Sequence, residues 1–161
     1  MSTQPIPISE TEGPLLDPRG PRFAAGINSL LLITAIALGP GWSFIPLVIQ
    51  LLAFASGAVL GMRFQPWGRI YRVLVAPRLA PPTKMEDDRP PRFAQCMGLG
   101  FTVLGALGTL FSLPMLFYVA VGLVLLASLL NVLFDFCMGC QTYLLGKRLF
   151  GKQTSPGIAL R

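Results

Sequence analysis

The sequence predicts an all-α membrane protein in which four transmembrane helices form two helical hairpins. The chain of 161 residues is 53% hydrophobic and only 12% charged, and its mean hydropathy is +0.63. Two long segments, residues 23–62 and 93–134, contain no charged residue. This composition is typical of membrane proteins and argues against a soluble enzyme, a disordered chain or a nucleic-acid-binding protein.

The length of the two uncharged segments predicts two helices in each. A helix needs about 20 residues, at 1.5 Å per residue, to cross roughly 30 Å of hydrocarbon. Glycine and proline interrupt the first segment at residues 39–41, and a serine, a leucine and a proline interrupt the second at residues 112–114. The predicted spans are residues 22–38, 43–62, 92–111 and 115–134.

The distribution of lysine and arginine predicts the orientation. All 13 of these residues lie at or before the start of the first span, between span two and the start of span three, or after the last span, and the two short turns contain none. The positive-inside rule therefore predicts a multi-pass protein of the cell membrane with both termini in the cytoplasm. Residues 1–20 are expected to form a polar cytoplasmic tail without the basic region of a signal peptide, and residues 151–161 a basic cytoplasmic tail.

A sequence pattern occurs twice at the start of the hairpins. Residues 17–24 and residues 87–94 both fit the pattern D-x-R-x-P-R-F-A. We interpret this as an internal repeat within a membrane domain of residues 21–150, with repeat one at 17–79 and repeat two at 87–149. Each repeat crosses the membrane twice, so a pseudo-twofold axis would lie along the membrane normal. The alternative is that both hairpins begin with the same interfacial anchors.

Short interfacial helices are predicted after spans two and four. Trp67, Ile70, Tyr71 and Leu74 have the spacing of one helix face, which is typical of a helix that lies on the membrane surface. Residues 141–150 are expected to repeat this helix. Small residues spaced four apart within the spans favour close helix packing, and the small-residue faces that remain are compatible with a homodimer.

The three cysteines carry the chemistry that the sequence offers. Cys96 is expected one turn into the third span, and Cys137 and Cys140 just past the fourth, at its cytoplasmic end. Gly139 permits the bend that a small disulfide ring needs. Because the cytosol is reducing, a transient catalytic or sulfur-carrying role is the functional interpretation. Soft-metal binding by three thiolates and inert, small apolar cysteines are the alternatives.

Charges near the cysteines act in opposite directions. Arg22 and Arg92 lie at the predicted cytoplasmic N-termini of spans one and three, where positive charge favours a thiolate. Asp135 and the C-terminal end of span four disfavour one. Asp135 is predicted either to pair with an arginine or to accept a thiol proton. The chain has no histidine, which excludes imidazole catalysis and histidine metal ligands.

Three motifs suggest a family. They are D-P-R-x-P-R-F-A at residues 17–24, P-R-F-A-Q-C-M-G at residues 91–98 and N-x-L-F-D-F-C-M-G-C-Q at residues 131–141. Over about residues 15–150 the chain resembles small bacterial membrane proteins grouped as domain of unknown function 4395. It is more distantly similar to DoxX-like four-helix membrane proteins. Similar proteins are encoded beside, or joined to, thioredoxin-like and sulfurtransferase proteins, which implies thiol or sulfur chemistry. The positions that match the motifs are Arg92, Phe93, Gln95, Cys96, Asp135, Cys137, Cys140 and Gln141.

The leading functional prediction is exchange of electrons or sulfur between the Cys137 and Cys140 pair and a cytosolic thioredoxin-like or sulfurtransferase partner. Cys96 is predicted as a resolving or auxiliary thiol. No metal or cofactor is predicted. Two further functions stay open, namely a carrier for a small sulfur compound and a membrane scaffold for a soluble enzyme. The residues predicted to bind substrate are Arg22, Arg92, Gln95 and Gln141, and those predicted to take part in catalysis are Cys96, Asp135, Cys137 and Cys140.

Overall fold

The computed structural model describes residues 15–82 and 85–150. Most of the predicted N-terminal tail and all of the predicted C-terminal tail therefore lie outside the described residues. The described chain is helical except for its loops and one short pair of antiparallel strands, β1 (Leu15–Leu16) and β2 (Glu86–Asp87). The sequence analysis predicted no strands. The pair joins the segments that precede the first and fourth helices.

The first two helices meet where the sequence predicts a break. Helix α1 (Arg19–Trp42) bends at Gly39, whose φ of 71° is a conformation that glycine adopts readily, and Pro40 follows it. Helix α2 (Phe44–Ala55) continues as a π-helical turn, Ser56–Leu60, and stops at Gly61, whose φ is 97°.

The remaining helices begin earlier than predicted or extend past the predicted bounds. Helix α3 (Pro66–Ile70) is followed by π- and 3₁₀-helical turns at Tyr71–Val75 and Ala76–Arg78. Helix α4 covers Arg89–Leu110, α5 covers Pro114–Phe134 and α6 covers Met138–Phe150. Just before α4, the Asp87 carboxylate accepts the Arg89 N–H at 3.0 Å.

Three helices of the described chain are long and apolar enough to cross a membrane, namely α1, α4 and α5. Helix α2 with its π-helical turn, Phe44–Leu60, is apolar but shorter. Many large hydrophobic side chains on these helices face outward, among them Leu30, Leu52 and Leu133. An apolar outer surface of this kind fits a lipid environment.

The four long helices form one bundle. Helix α1 packs on α2 and α5, and α4 packs on the same two helices, so each neighbours two others. The close approach of α4 and α5 depends on Gly108, where an added Cβ would lie 2.6 Å from the backbone nitrogen of Phe117. Helix α6 packs on the start of α4. The buried core consists of Leu32, Ala35, Leu47, Phe54, Phe117, Val121 and Val124.

Candidate functional site

A short turn between α5 and α6 places the cysteine pair. Asp135 adopts the left-handed conformation, with φ 56° and ψ 27°. The Phe136 N–H donates to the Leu130 carbonyl at 3.3 Å, which closes the end of α5. Cys137 then immediately precedes Met138, the first residue of α6. Cys137 therefore lies at the start of a new helix. The sequence analysis had placed it only near the C-terminal end of span four.

Cys137 and Cys140 form a disulfide in the structure, with their Cα atoms 5.2 Å apart. This separation is within the usual disulfide range of about 4.4–6.8 Å. The Cys140 N–H donates to the Sγ atom of Cys137 at 3.3 Å. This amide and the positive end of the α6 dipole both favour negative charge on the Cys137 sulfur. This influence at the start of α6 is separate from the two opposing ones that the sequence analysis weighed.

Gly139 allows the cysteine pair to dock against α4. A Cβ at this position would lie 2.6 Å from the Cα of Ala94 and 2.5 Å from its Cβ. Because backbone atoms cannot yield as a flexible side chain does, any residue larger than glycine would force α6 away from α4. The glycine between the cysteines thus serves a packing contact as well as the bend predicted from the sequence.

Arg22 joins the start of α1 to the end of α5. Its Nη2 group donates to the Val132 carbonyl at 3.1 Å, and its Nε lies 3.5 Å from Oδ1 of Asp135. The two side chains are 46% and 67% exposed, so solvent screens this ion pair and it adds little stability. Asp135 pairs with an arginine, which is one of the two roles predicted for it.

Arg92 binds a different helix end from Arg22. Its Nε and Nη2 groups donate to the carbonyls of Ala58 at 2.9 Å and Val59 at 3.0 Å, in the π-helical turn that follows α2. Arg22 and Arg92, both predicted to bind substrate, therefore each contact carbonyls near a helix end, at two separate places in the bundle.

A cavity of about 260 Å³ lies among α1, α2, α4, α5 and the start of α6. Gln95, predicted to bind substrate, lines it together with Cys137. The other polar lining residues were missed by the sequence analysis, although polar side chains inside apolar spans are a known signal of function. They come from three different helices and have no common spacing in the sequence. These missed residues are Asn28, Ser128, Asn131 and Thr142.

The other predicted site residues lie outside the cavity lining. Cys96 is an exposed free cysteine, and Gln141 is exposed on α6, where its N–H donates to the Cys137 carbonyl at 3.0 Å. In residues 15–82 and 85–150, no group of three or more cysteine or acidic side chains is arranged to hold a metal ion. The geometry of the described residues therefore lends no support to metal binding by the three thiols.

Comparison with known proteins identifies a matching family. No curated protein and no solved structure matches the chain, and the more distant likeness to DoxX-like proteins is not shown. A family model described as Domain of unknown function (DUF4395) matches residues 16–148. This match runs from β1 to the last turn of α6 and includes the cavity and the cysteine pair. The chain therefore belongs to the DUF4395 family.

Proposed function

We propose that the protein is a membrane-embedded thiol–disulfide exchange protein whose Cys137–Cys140 pair reacts with a cytosolic thioredoxin-like partner. One observation carries the proposal. The two cysteines are paired at the N-terminus of α6, where the Cys140 N–H donates to the Cys137 sulfur. Low-pKa, reactive cysteines in other proteins occupy this kind of position at the start of a helix.

The reaction is a two-electron exchange. In the reduced protein, the Cys137 thiolate attacks the partner's disulfide, forms a mixed disulfide and releases one partner thiolate. The Cys140 thiolate then attacks the Cys137 sulfur and releases the second. The Cys137–Cys140 bond forms, the partner's disulfide is reduced, and two protons pass from the cysteines to the partner thiols. The reverse sequence reduces the Cys137–Cys140 disulfide.

A sulfurtransferase is the second partner class for the same sulfur atom. The Cys137 thiolate would attack the outer sulfur of a partner persulfide and break its S–S bond. Cys137 would then carry a persulfide, and the partner would leave as a thiolate. The relay transfers one sulfur atom and leaves a persulfide on Cys137, whereas disulfide exchange leaves a Cys137–Cys140 disulfide.

The proposal includes four membrane crossings. Helix α2 with its π-helical turn has 17 residues, which is about 25 Å at 1.5 Å per residue and somewhat short of the hydrocarbon core. Exposed Trp42 and Arg63 flank this segment. Interfacial tryptophan and snorkelling arginine accommodate a short span at modest cost. If α2 is the fourth crossing, both termini and the cysteine pair lie on the cytoplasmic side.

Equivalent contacts seventy residues apart support two repeated hairpins. The Asp17 carboxylate accepts the Arg19 N–H at 3.0 Å, as Asp87 accepts that of Arg89. Leu16 pairs with Glu86, the residue seventy positions further on. A twofold axis relating the repeats would pass through this strand pair.

The arginine contacts follow the same symmetry. Arg22 of the first hairpin binds the end of α5 in the second, and Arg92 of the second binds the end of the π-helical turn after α2 in the first. Each repeat thereby supplies an arginine that donates to carbonyls near the end of the second helix of the other repeat. Reciprocal contacts of this kind are expected of a pseudo-twofold pair.

The cysteine pair occupies the place of a structural helix cap in the first repeat. Phe23 packs on Tyr71 and Phe93 on Tyr143, with ring centroids 5.8 Å apart in both cases. The tyrosines are 72 residues apart, so the second repeat is two residues longer before this contact. At that offset Cys137 corresponds to Gln65, whose Oε1 accepts the Gly68 N–H at 3.0 Å. A cysteine sulfur thus replaces an amide oxygen at the same capping position.

The test uses purified protein in lipid nanodiscs, equilibrated with a thioredoxin redox couple of varied ratio. Mass-tagging of free thiols should show Cys137 and Cys140 oxidising together in one two-electron transition. A Cys140→Ser variant should accumulate a mixed disulfide through Cys137, and Cys96→Ser should behave as wild type. The proposal fails if the pair stays fully reduced and unreactive under oxidant.

The cavity favours a carrier for a small molecule as the second candidate function. Two of its lining side chains, Asn28 and Gln95, are polar and buried inside the helical bundle. Uptake of radiolabelled thiosulfate or a neutral thiol into proteoliposomes would support this candidate. Uptake that persists after replacement of all three cysteines would separate transport from thiol exchange.

A further inference from the structure

Two buried amides in the cavity lining offer hydrogen-bond donors. Asn28 and Gln95 are only 4% and 8% exposed, and both line the cavity. Their side-chain oxygens are fully enclosed, and that of Gln95 lies against the π-helical turn, since a Cβ at Gly57 would be 3.0 Å from it. The accessible ends of both amides are their N–H groups, which donate to no described residue. A ligand oxygen in the cavity would give these donors an acceptor.

Part of the cavity wall lies on the outer, apolar surface of the bundle. Met97, Leu123 and Leu126 line the cavity and are each at least 42% exposed. They belong to α4 and α5, two of the helices that are long and apolar enough to cross a bilayer. A molecule dissolved in the hydrocarbon can therefore reach the cavity at this surface.

The walls select an uncharged ligand. No charged side chain of the described chain lines the cavity, and a charge without a partner would be strongly disfavoured there. A volume of about 260 Å³ suits a single ring with short substituents better than a larger molecule.

The cavity extends from a phenylalanine ring to the cysteine pair. Phe54 packs on α4 at Gly98, where an added Cβ would lie 2.8 Å from its Cε1 atom, and Gly139, between the cysteines, packs on the same helix at Ala94. The four residues from one contact to the next correspond to about 6 Å of helix, which is close to the width of a six-membered ring. Phe54 and Cys137 both line the cavity. A flat ring between the two contacts would touch both side chains.

We propose that the cavity binds the ring of a membrane-soluble quinone, which accepts electrons from the Cys137–Cys140 pair. A quinone is uncharged and flat, has carbonyl oxygens that accept hydrogen bonds, and takes up two electrons, the number that a dithiol releases. The N–H groups of Asn28 and Gln95 donate to a carbonyl oxygen of the ring. This proposal rests on the redox-active pair of the proposed function and adds an electron acceptor in the lipid.

The reaction balances in atoms and electrons. The Cys137 thiolate adds to the quinone ring and forms a C–S bond. The Cys140 thiolate then attacks the Cys137 sulfur, the disulfide forms, and the C–S bond breaks with its electron pair left on the ring. The two protons lost by the thiols convert the ring to the hydroquinone. The amide N–H groups stabilise the negative charge that develops on the carbonyl oxygen.

Binding is measured with the disulfide intact, so that the pair cannot react. The probe is duroquinone, and the comparison is durene, a tetramethyl ring without carbonyl oxygens. NMR follows the side-chain amide signals of isotope-labelled asparagine and glutamine in detergent micelles. We expect duroquinone to shift the amide proton signals of Asn28 and Gln95 downfield in a saturable manner, and durene to leave them nearly unchanged. The signal of Gln50, a buried amide outside the cavity lining, should not move.

Matched variants locate the site. Asn28→Leu and, independently, Gln95→Met should weaken duroquinone binding several-fold, measured from the amide signal that remains. Gln50→Leu should bind duroquinone as the wild type does. Circular dichroism in the same micelles selects the variants that fold, and either of the two cavity variants is sufficient.

Electron transfer is measured with the reduced protein and duroquinone in the absence of oxygen. One hydroquinone should form for each Cys137–Cys140 disulfide. The same cavity variants should slow this reaction several-fold, and Gln50→Leu should not. Cys140→Ser should prevent release of the hydroquinone with a disulfide, because the second thiol is missing.

Four outcomes would overturn the proposal. Equal amide shifts with duroquinone and durene would mean that the carbonyl oxygens play no part, and absence of any shift would mean that only water occupies the cavity. Full binding in both cavity variants would place the quinone elsewhere. Binding without hydroquinone formation would reject the quinone as electron acceptor. If exchange with thioredoxin continues in that last case, the proposed function stands and this proposal alone fails, whereas a pair that reacts with neither compound would reject both.

Discussion

The backbone N–H of Cys140 donates to the Sγ atom of Cys137 across 3.3 Å. The same three-residue separation joins the Gly68 N–H to the Gln65 amide oxygen at the start of α3. Cys137 therefore has two roles, as one half of the disulfide and as the acceptor that caps α6. The disulfide is the group that would react in the proposed thiol–disulfide exchange. The capping contact explains why the sulfur is held at the start of α6.

The capping role can be separated from the disulfide under reducing conditions. Cys137→Ala should then lower the free energy of unfolding by about 1 kcal/mol, because an N–H at the start of α6 loses its acceptor. Cys137→Ser should cost much less, since a hydroxyl oxygen can replace the sulfur. Thermal unfolding in detergent, with reductant present, measures both. Equal losses for alanine and serine would contradict a capping role.

Gly139→Ala should weaken the docking of α6 on α4. The added methyl meets the backbone of Ala94, and overpacking of this kind costs about 1–3 kcal/mol. Gly146→Ala is the matched control in the same helix, because nothing lies within 4 Å of a Cβ there. Alanine at that position should stabilise the helix by roughly 0.5–1 kcal/mol. If both substitutions shift the unfolding temperature in the same direction, the proposed close approach is wrong.

Asp135 has a backbone role that outweighs its ion pair. Its positive φ is strained for most side chains and free of strain for glycine. Asp135→Gly should therefore keep or raise stability although it removes the contact with Arg22. Asp135→Ala should lower stability by about 1 kcal/mol, within the range of the left-handed penalty. Unfolding of the two variants side by side measures the difference. Similar losses in both would assign the stability to the ion pair instead.

Tyr71 should ionise only at unusually high pH. Burial raises its pKa above the ordinary value of 10.0, and the hydrogen bond that its hydroxyl donates to Asp17 at 3.0 Å, together with the charge of Asp17, raises it further. Arg19 acts in the opposite direction. The pKa of Tyr71 is higher in the folded protein than in the unfolded chain. Its contribution to the free energy of unfolding is therefore fully present at pH values below the pKa of the unfolded chain. It is lost as the pH rises through the folded value.

Spectrophotometric titration of tyrosinate checks this expectation. The component that disappears in Tyr71→Phe should titrate above pH 10.0. Asp17→Asn should lower that midpoint only in part, since burial is the larger cause. A component that titrates at or below the ordinary value would show that Tyr71 is not held in the buried contact with Asp17.

Much of the helical fold follows from local signals in the sequence. Gly39 and Pro40 mark the first break because one permits positive φ and the other ends the preceding hydrogen-bond ladder. Pro114 similarly marks the start of α5. The number of crossings and the repeat stay predictions, because α2 is shorter than the other long helices.

Other features depend on contacts that no local pattern reveals. The strand pair joins Leu16 to Glu86, two positions far apart in the chain. The turn before Cys137 could not be predicted from the sequence, because the residue in the left-handed conformation is Asp135 and not glycine. The cavity was missed because Asn28 and Ser128 come together only when α1 and α5 pack.

The most direct test of the account is the sidedness of the cysteine pair in sealed membrane vesicles. Vesicles of defined orientation are reduced, treated with a membrane-impermeant maleimide and analysed cysteine by cysteine. We predict that Cys137 and Cys140 are labelled only when the cytoplasmic face is outward, and that an oxidised thioredoxin added to that face blocks the labelling. Labelling from the opposite face, or labelling that oxidised thioredoxin leaves unchanged, would contradict a cytosol-facing thiol-exchange site.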